Sequence, residues 1–372
     1  MFCRLVSCLL LVLAPVPLTA QSGAEPPRMN QIQVLGSHNS YKQAMDPELL
    51  EILRRQRPGR FEGVEYWHSP LEEQLDLGLR KLEIDVVYDP DGGRFARPWG
   101  LEILKQHGLE PSRPYDPDGY MRHPGLKVLH IPDFDVWSHV YTFRQALERL
   151  KAWSDQHPEH LPIAILMNAK DNVIDEPNLT APLPFDAAAF GVWDAEIRAV
   201  LPPAKLITPD DVRGEYETLE KAVLAHAWPT LDEARGRFLF VLDEQGPKLE
   251  AYAGGHPSLH GRVMFVNAEP GRPEAAFCIV NNPVRSFDRI QQLVRAGYLV
   301  RTRSDADTRE ARSGDYSRMK AAFESGAHFV STDYYLPAPF DSRFQVKLPG
   351  GGPGRWNPLL TPSLDPLPPL EP

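Results

Sequence analysis

The sequence predicts an α/β protein, a single distorted TIM (β/α)8 barrel with long loops after its first and second strands. Three observations point there. Short apolar, β-branched-rich runs alternate with amphipathic stretches over roughly 300 residues without an internal linker, as in strand–helix–strand units around a parallel sheet. Several runs are apolar without interruption, as strands covered on both faces are. The repeats number about eight, which favours a closed barrel over an open sheet.

The strands expected, in order, are residues 32–35, 82–87, 127–131, 163–167, 238–242, 263–266, 277–280, 299–302 and 329–331. That is one more than a barrel needs, and the closely spaced pair at 263–266 and 277–280 is the suspect for a strand outside it. Helices are expected over 142–155, where Phe143, Ala146, Leu147, Leu150 and Trp153 share a face, over 287–296 with Ile290, Leu293 and Val294, and over 315–325 with Met319, Ala322 and Phe323. The longest gaps, 41–80 and 88–126, follow the first two strands, where barrel proteins build the walls of their sites. The second gap is rich in Pro, Asp and Gly, with Trp99 and Leu101 as its exposed apolar side chains.

Residues 1–20 read as a cleaved signal peptide: one early charge, Arg4, an apolar run broken by Pro15 and Pro17, and a small residue, Ala20, at the end. A secreted or periplasmic location follows. Residues 21–30 are a short linker, 31–345 the barrel, and 346–372 a tail too rich in Pro and Gly to build a packed element. Cys3 and Cys8 leave with the leader, so the mature chain keeps only Cys278, in an apolar run, and has no internal disulfide.

The chain has 372 residues, of which 42% are hydrophobic and 24% charged, which excludes intrinsic disorder and a multi-span membrane protein. With 40 Lys and Arg against 50 Asp and Glu, its net charge is −10, and no basic run exists; nucleic-acid binding is excluded as a class. No protein partner is implied, and a monomer is expected.

Residues just after the ends of parallel barrel strands converge on one mouth. Here these are His38 and Asn39, His130, Asn168 with Lys170 and Asp171, Asp243, Asn267, Asn281, the stretch Arg301-Thr302-Arg303-Ser304-Asp305, and Asp333. Glu83 and Asp85 are two apart on the second strand, so both face the lumen while Leu82, Ile84 and Val86 face the helices. Two inward carboxylates repel unless a cation lies between them. A hard divalent cation with oxygen ligands answers this, with Asn39 able to add a carbonyl oxygen; the other reading pairs each carboxylate with a basic neighbour such as Lys170. His38 and His130, at the ends of the first and third strands, can face one another across the mouth. Two imidazoles handling one proton each suit a displacement at phosphorus, with Lys170 and Arg303 as fixed positive charge for a phosphate oxygen. His68, His107, His123 and His139 read as structural. No dinucleotide fingerprint, Walker loop, zincin helix or serine-nucleophile elbow is present.

GSHNSY, LEIDVV and VLHIPD, in that order, together with LPIAILMNAKD, YLVRTRSDADTREAR and SGAHFVSTDYY, resemble the phosphatidylinositol-specific phospholipases C, and within them the calcium-dependent, secreted bacterial branch. The resemblance spans residues 31–336. It implies a distorted TIM barrel that cleaves phosphatidylinositol-type phospholipids, at a membrane or micelle surface, into diacylglycerol and a cyclic or open inositol phosphate. It also implies His38 and His130 as the catalytic pair, Asn39, Glu83 and Asp85 as ligands of Ca2+, and Lys170 and Arg303 as substrate-phosphate contacts. Animal relatives carry a glutamate at the end of the fourth strand; Asn168 stands there and offers an amide oxygen without the charge, with Asp171 or Asp133 as alternatives. Two other readings stay open. A glycerophosphodiester phosphodiesterase shares the barrel and the Glu-x-Asp strand but carries His-Arg where this chain has His38-Asn39. A non-catalytic headgroup-binding relative is suggested only by Asn168.

Overall fold

Eight strands run parallel, side by side and in chain order, in a computed structural model that describes residues 26–174, 176–361 and 370–371. The expected leader at 1–20, with Cys3 and Cys8, lies outside the described residues. Ten strands are formed: β1 (Ile32–Ser37), β2 (Lys81–Asp89), β3 (Gly125–Val128), β4 (Ile163–Ala169), β5 (Phe238–Leu242), β6 (Phe265–Val266), β7 (Phe277–Ile279), β8 (Leu299–Arg303), β9 (Phe329–Thr332) and β10 (Arg355–Trp356). The ladder runs β6-β5-β4-β2-β1-β9-β8-β7, and a parallel bridge from Asn267 to Phe277 brings its two ends together into a nearly closed barrel.

The strand outside the barrel is not the one suspected. β6 and β7 are both staves, only two and three residues long, and the connection between them carries no helix. Their close spacing therefore resembles a hairpin, although they run parallel. The extra strand is β3, which pairs antiparallel with β2 from Val86↔Val128 to Asp89↔Gly125. It hangs on the mouth end of β2 and delivers the following residues beside that strand.

Side-chain parity along β2 sorts the two layers. Leu82, Ile84 and Val86 join the core between strands and helices, while Lys81, Glu83 and Asp85 are buried inside the barrel. The helix Phe143–Gln156 begins at Thr142, whose hydroxyl accepts from the Gln145 amide while the Gln145 side chain returns to the backbone of Thr142. It buries Phe143, Ala146, Leu147, Leu150 and Trp153, the face read from the sequence. Gly36 lets β1 and β2 approach: a Cβ there would sit 2.2 Å from the Lys81 carbonyl oxygen.

The two long loops build a second core. The helices Pro47–Gln56 and Trp99–Gln106 meet Phe61, Phe134, Val136 and Trp137 through Leu49, Leu53, Ile103 and Leu104. Trp99 and Leu101 are half-buried against this cluster, not exposed. Asp133, in the left-handed region at φ 74°, caps the second helix by accepting from the Trp99 amide at 2.8 Å, and also ties down Thr180.

The described parts of the tail, 346–361 and 370–371, pack against the barrel, which their composition does not suggest. β10 pairs antiparallel with β1, Asn357 is buried and donates to the Gly326 carbonyl at 2.7 Å, and Leu370 enters the main core. Glu371 makes a bidentate pair with Arg80 at 2.7 and 2.5 Å. Pro and Gly prevent a long element, but Ile32 and Gln33, which lie ahead of the β1 residues paired with β2 and β9, and the buried guanidinium of Arg80 supply partners that the tail satisfies.

Candidate active site

The turn after β1 is suspended between its neighbours. The His38 amide donates to the Thr332 carbonyl at 3.1 Å and the Ser40 amide to the Glu83 carbonyl at 2.8 Å. Asn39 between them takes φ 48°, a left-handed conformation that asparagine tolerates better than most residues. Below the turn, Ser37, Ser40 and Gln74 form a buried hydrogen-bonded cluster. His38 and Asn39 are thus presented at the mouth by a rigid support.

His130 reaches the mouth from the other direction, on the segment that follows antiparallel β3. Its chain folds back at once: Asp135 and Ile131 bridge, with the Asp135 amide on the Ile131 carbonyl at 3.0 Å. This turn, bent at Asp133, places the Asp135 carboxylate 2.7 Å from His130 Nδ1, and the same carboxylate pairs with the buried ammonium of Lys42 at 3.2 Å. The ring of Tyr66 lies near both histidines, 5.8 Å from His38 and 6.3 Å from His130, and its hydroxyl accepts from the Asn39 side-chain amide at 2.7 Å.

Each histidine has its Nδ1 on a carboxylate: His38 on Asp333 at 2.9 Å, His130 on Asp135. A carboxylate accepts, so Nδ1 carries a hydrogen in both rings and Nε2 is the nitrogen left to exchange a proton. Desolvation, followed by the charge of Arg303, holds the His38 imidazole well below its ordinary pKa, so it is neutral at neutral pH. Arg303 donates to Asp333 at 2.9 Å and points a second nitrogen at His38 Nε2 from 3.4 Å. Burial raises the Asp333 carboxyl, with Arg303 opposing; burial and Asp333 together push Asp305, behind it, up to about 6.

Glu83 Oε1 is 3.6 Å from His38 Nε2. Its other oxygen meets Lys81 Nζ at 2.5 Å and Arg301 Nη2 at 2.7 Å. Burial opposes ionisation of Glu83, yet Lys81 and Arg301 outweigh it and hold the carboxyl well below its usual range. Burial pulls Lys81 down to about 7. Asn168 Nδ2 touches Glu83 Oε1 at 3.3 Å and Asp85 Oδ1 at 2.9 Å, and Lys170 pairs with Asp85 Oδ2 at 3.1 Å. The sequence left a metal or basic partners as alternatives for the two carboxylates; the basic partners are present, and Asn168 joins the two free oxygens.

All eight residues singled out in the sequence, His38, Asn39, Glu83, Asp85, His130, Asn168, Lys170 and Arg303, share this one mouth. Asp171 does not: it pairs with Lys248 at 2.8 Å and accepts from the Phe185 amide. Asp133 is spent on its helix cap. Lys42, Tyr66, Lys81 and Asp135 belong to the site and were not singled out; Arg301, in the stretch 301–305 that the sequence brings to the mouth, belongs to it as well. Lys81 shares the parity of Glu83 and Asp85, and Arg301 that of Arg303, so alternation along the strand was the available signal; nothing local marked Lys42, Tyr66 or Asp135.

The donor set suits a hard cation. Glu83 Oε1, Asp85 Oδ1 and the Asn168 side chain converge, and Asn39 Oδ1 accepts no hydrogen bond among the described residues. A half-turn of the Asn168 amide would replace its donor with its oxygen. The set is poor in charge: among the described residues, no three His, Cys, Asp or Glu side chains gather at a metal-binding spacing.

Residues 27–358 match the family model described as phosphoinositide phospholipase C, Ca2+-dependent. Among solved structures, a calcium-dependent phosphoinositol-specific phospholipase C from Pseudomonas sp is similar with a TM-score of 0.52 at 18% identity, over 89% of this chain and 96% of that one. A Ca2+-dependent phosphatidylinositol-specific phospholipase C from Streptomyces antibioticus is similar with a TM-score of 0.51 at 18% identity, over 83% and 95%. No curated protein matches the sequence. With nearly its whole described barrel inside the matched span, this chain belongs to the calcium-dependent phosphoinositide phospholipase C family.

Proposed function

We propose that the protein cleaves phosphatidylinositol-type phospholipids at the bond between phosphorus and the diacylglycerol oxygen. The observation that carries this reading is the pair of histidines, each with Nδ1 on a buried carboxylate, both against Tyr66 and next to Glu83, Asp85 and Asn168.

His38 Nε2 takes the proton from the inositol 2-hydroxyl as its oxygen bonds to phosphorus; Asp333 steadies the imidazolium that results. His130, protonated, gives its proton to the departing diacylglycerol oxygen as the phosphorus–oxygen bond breaks. The products are diacylglycerol and a cyclic inositol phosphate, and water can open the cycle with the histidine roles reversed. Arg303 and Lys170 stand at the mouth to bind phosphoryl oxygens, where fixed positive charge stabilises the crowded phosphorus. Asn39, Glu83, Asp85 and Asn168 would hold calcium, which when bound supplies Lewis-acid polarisation of the hydroxyl and phosphoryl oxygens.

A lipid surface as the place of reaction is supported by the loops around the mouth. Trp67, Val173, Val284 and Leu336 are all exposed, and they lie in the connections that follow β1, β4, β7 and β9. An exported protein is supported by the leader-like residues 1–20; among the described residues no helix is long and apolar enough to cross a membrane.

The test is incubation with phosphatidylinositol in micelles, with calcium or with chelator, followed by phosphorus NMR. Calcium-dependent appearance of a cyclic inositol phosphate, lost in His38→Ala and in His130→Ala, is the expected result. Turnover of glycerophosphocholine with phosphatidylinositol left intact would overturn it.

A further inference from the structure

The two carboxylates at the centre of the mouth do not offer their charge undivided. Glu83 Oε2 is occupied by Lys81 and Arg301, and Asp85 Oδ2 by Lys170. The three cations differ in freedom. Lys81 is enclosed and also donates to the Ser37 carbonyl at 2.9 Å. Arg301 is enclosed and also donates to Ser331 Oγ at 2.9 Å and to Asn281. Lys170 is different: its side chain is 32% exposed, its one carboxylate partner among the described residues is Asp85, and its ammonium ends a flexible four-carbon stem. Its backbone is held, by the amide on the Val86 carbonyl at 2.8 Å, so only the side chain can move.

We propose that Lys170 is an internal counter-cation of Asp85 that competes with calcium and sets a weak affinity for the metal. The proposal rests on the calcium reading of the site. A dication arriving at Asp85 Oδ1 would lie within a few ångströms of an ammonium on the other oxygen of the same carboxylate. Either the ammonium withdraws, and its ion pair is lost, or it stays and repels the metal. Both outcomes lower affinity, in a site with only two carboxylates and two amides to attract the ion, where ligand charge governs how tightly calcium is held. Lys81 and Arg301 are enclosed beside Glu83 and cannot withdraw from it; Lys170 is the cation whose removal changes the balance without emptying a buried position.

The test is calcium titration by calorimetry of the metal-stripped full chain, with circular dichroism to show that each variant is folded. Lys170→Met and Lys170→Gln are compared with the parent and with Lys320→Met, which removes the same charge from an exposed helix lysine paired, among the described residues, with Glu324. The expected result is calcium binding about tenfold tighter or more in both Lys170 variants and unchanged in Lys320→Met. Equal affinity in the parent and the Lys170 variants overturns the competition and leaves the calcium site standing. Equal tightening in Lys320→Met also overturns it, since net charge then accounts for the effect. Absence of binding in the parent and both Lys170 variants overturns the calcium reading and this proposal with it.

Discussion

His38 Nδ1 and Asp333 Oδ1 lie 2.9 Å apart although 295 residues separate them in the chain. The contact joins the turn after β1 to the end of β9, neighbours in the closed barrel. It sets the tautomer of the imidazole, because the buried carboxylate can only accept. Replacing Asp333 with Asn is expected to lower kcat about 100-fold or more, in the range that general acid–base groups contribute, with a much smaller change in KM. Steady-state kinetics on micellar phosphatidylinositol check this, and unaltered kcat would remove His38 from the role of base.

His130 is assigned the leaving group, and this gives it a signature distinct from His38. His130→Ala is expected to lose about 100-fold or more against the natural alkoxide leaving group, yet far less against an aryl ester whose leaving group needs no proton. His38→Ala is expected to lose activity on both. Equal losses for the two variants on the aryl substrate would contradict the division of labour.

Asn168 bridges Glu83 and Asp85 by donating to both, at 3.3 and 2.9 Å, and so offsets their repulsion. Asn168→Asp removes that donor and adds a third carboxylate. Without calcium the three repel, so thermal unfolding is expected at a lower temperature than in the parent. With calcium the extra charge tightens binding, so the calcium-induced rise in Tm is expected to exceed that of the parent. Melting curves with chelator and with calcium test both signs.

Asp305 is buried under Asp333, accepting from Ser304, Thr332 and the Asp333 amide. Its pKa is pushed up to about 6 from 3.8 by burial and Asp333. The folded protein therefore holds this proton more tightly than the unfolded chain. That contribution to stability is complete below about pH 4 and is lost as the pH rises through about 6. Asp305→Asn removes the titration, so its stability relative to the parent is expected to rise by on the order of 2–3 kcal/mol between pH 4 and pH 7. Urea unfolding at both pH values measures it.

Arg80 and Glu371 form a nearly enclosed bidentate pair that ties the end of the chain to the base of the barrel, where Glu371 also accepts from the Leu161 amide. Glu371→Ala leaves the guanidinium buried without its carboxylate and is expected to cost about 3–5 kcal/mol, with little change in kcat because the mouth lies at the opposite end of the strands. Denaturant titration and an activity assay together test this.

The sequence by itself determined the barrel and most of its mouth. Near-continuous apolar runs such as 163–167 and 238–242, short and repeated between helical stretches, read as strands covered on both faces, and alternation along 81–86 places Glu83 and Asp85 inside. Both are consequences of local periodicity, which a sequence displays directly. Tertiary structure decided what periodicity does not encode. That β3 runs antiparallel while β6 and β7 are staves depends on strand direction, which a short apolar run does not carry. The partners of each charge, Asp333 for His38, Arg301 for Glu83, Glu371 for Arg80, are set by closure of the barrel, which brings residues hundreds of positions apart within hydrogen-bond range. Desolvation in that closed interior then sets which of these groups are charged, and so what the histidines can do.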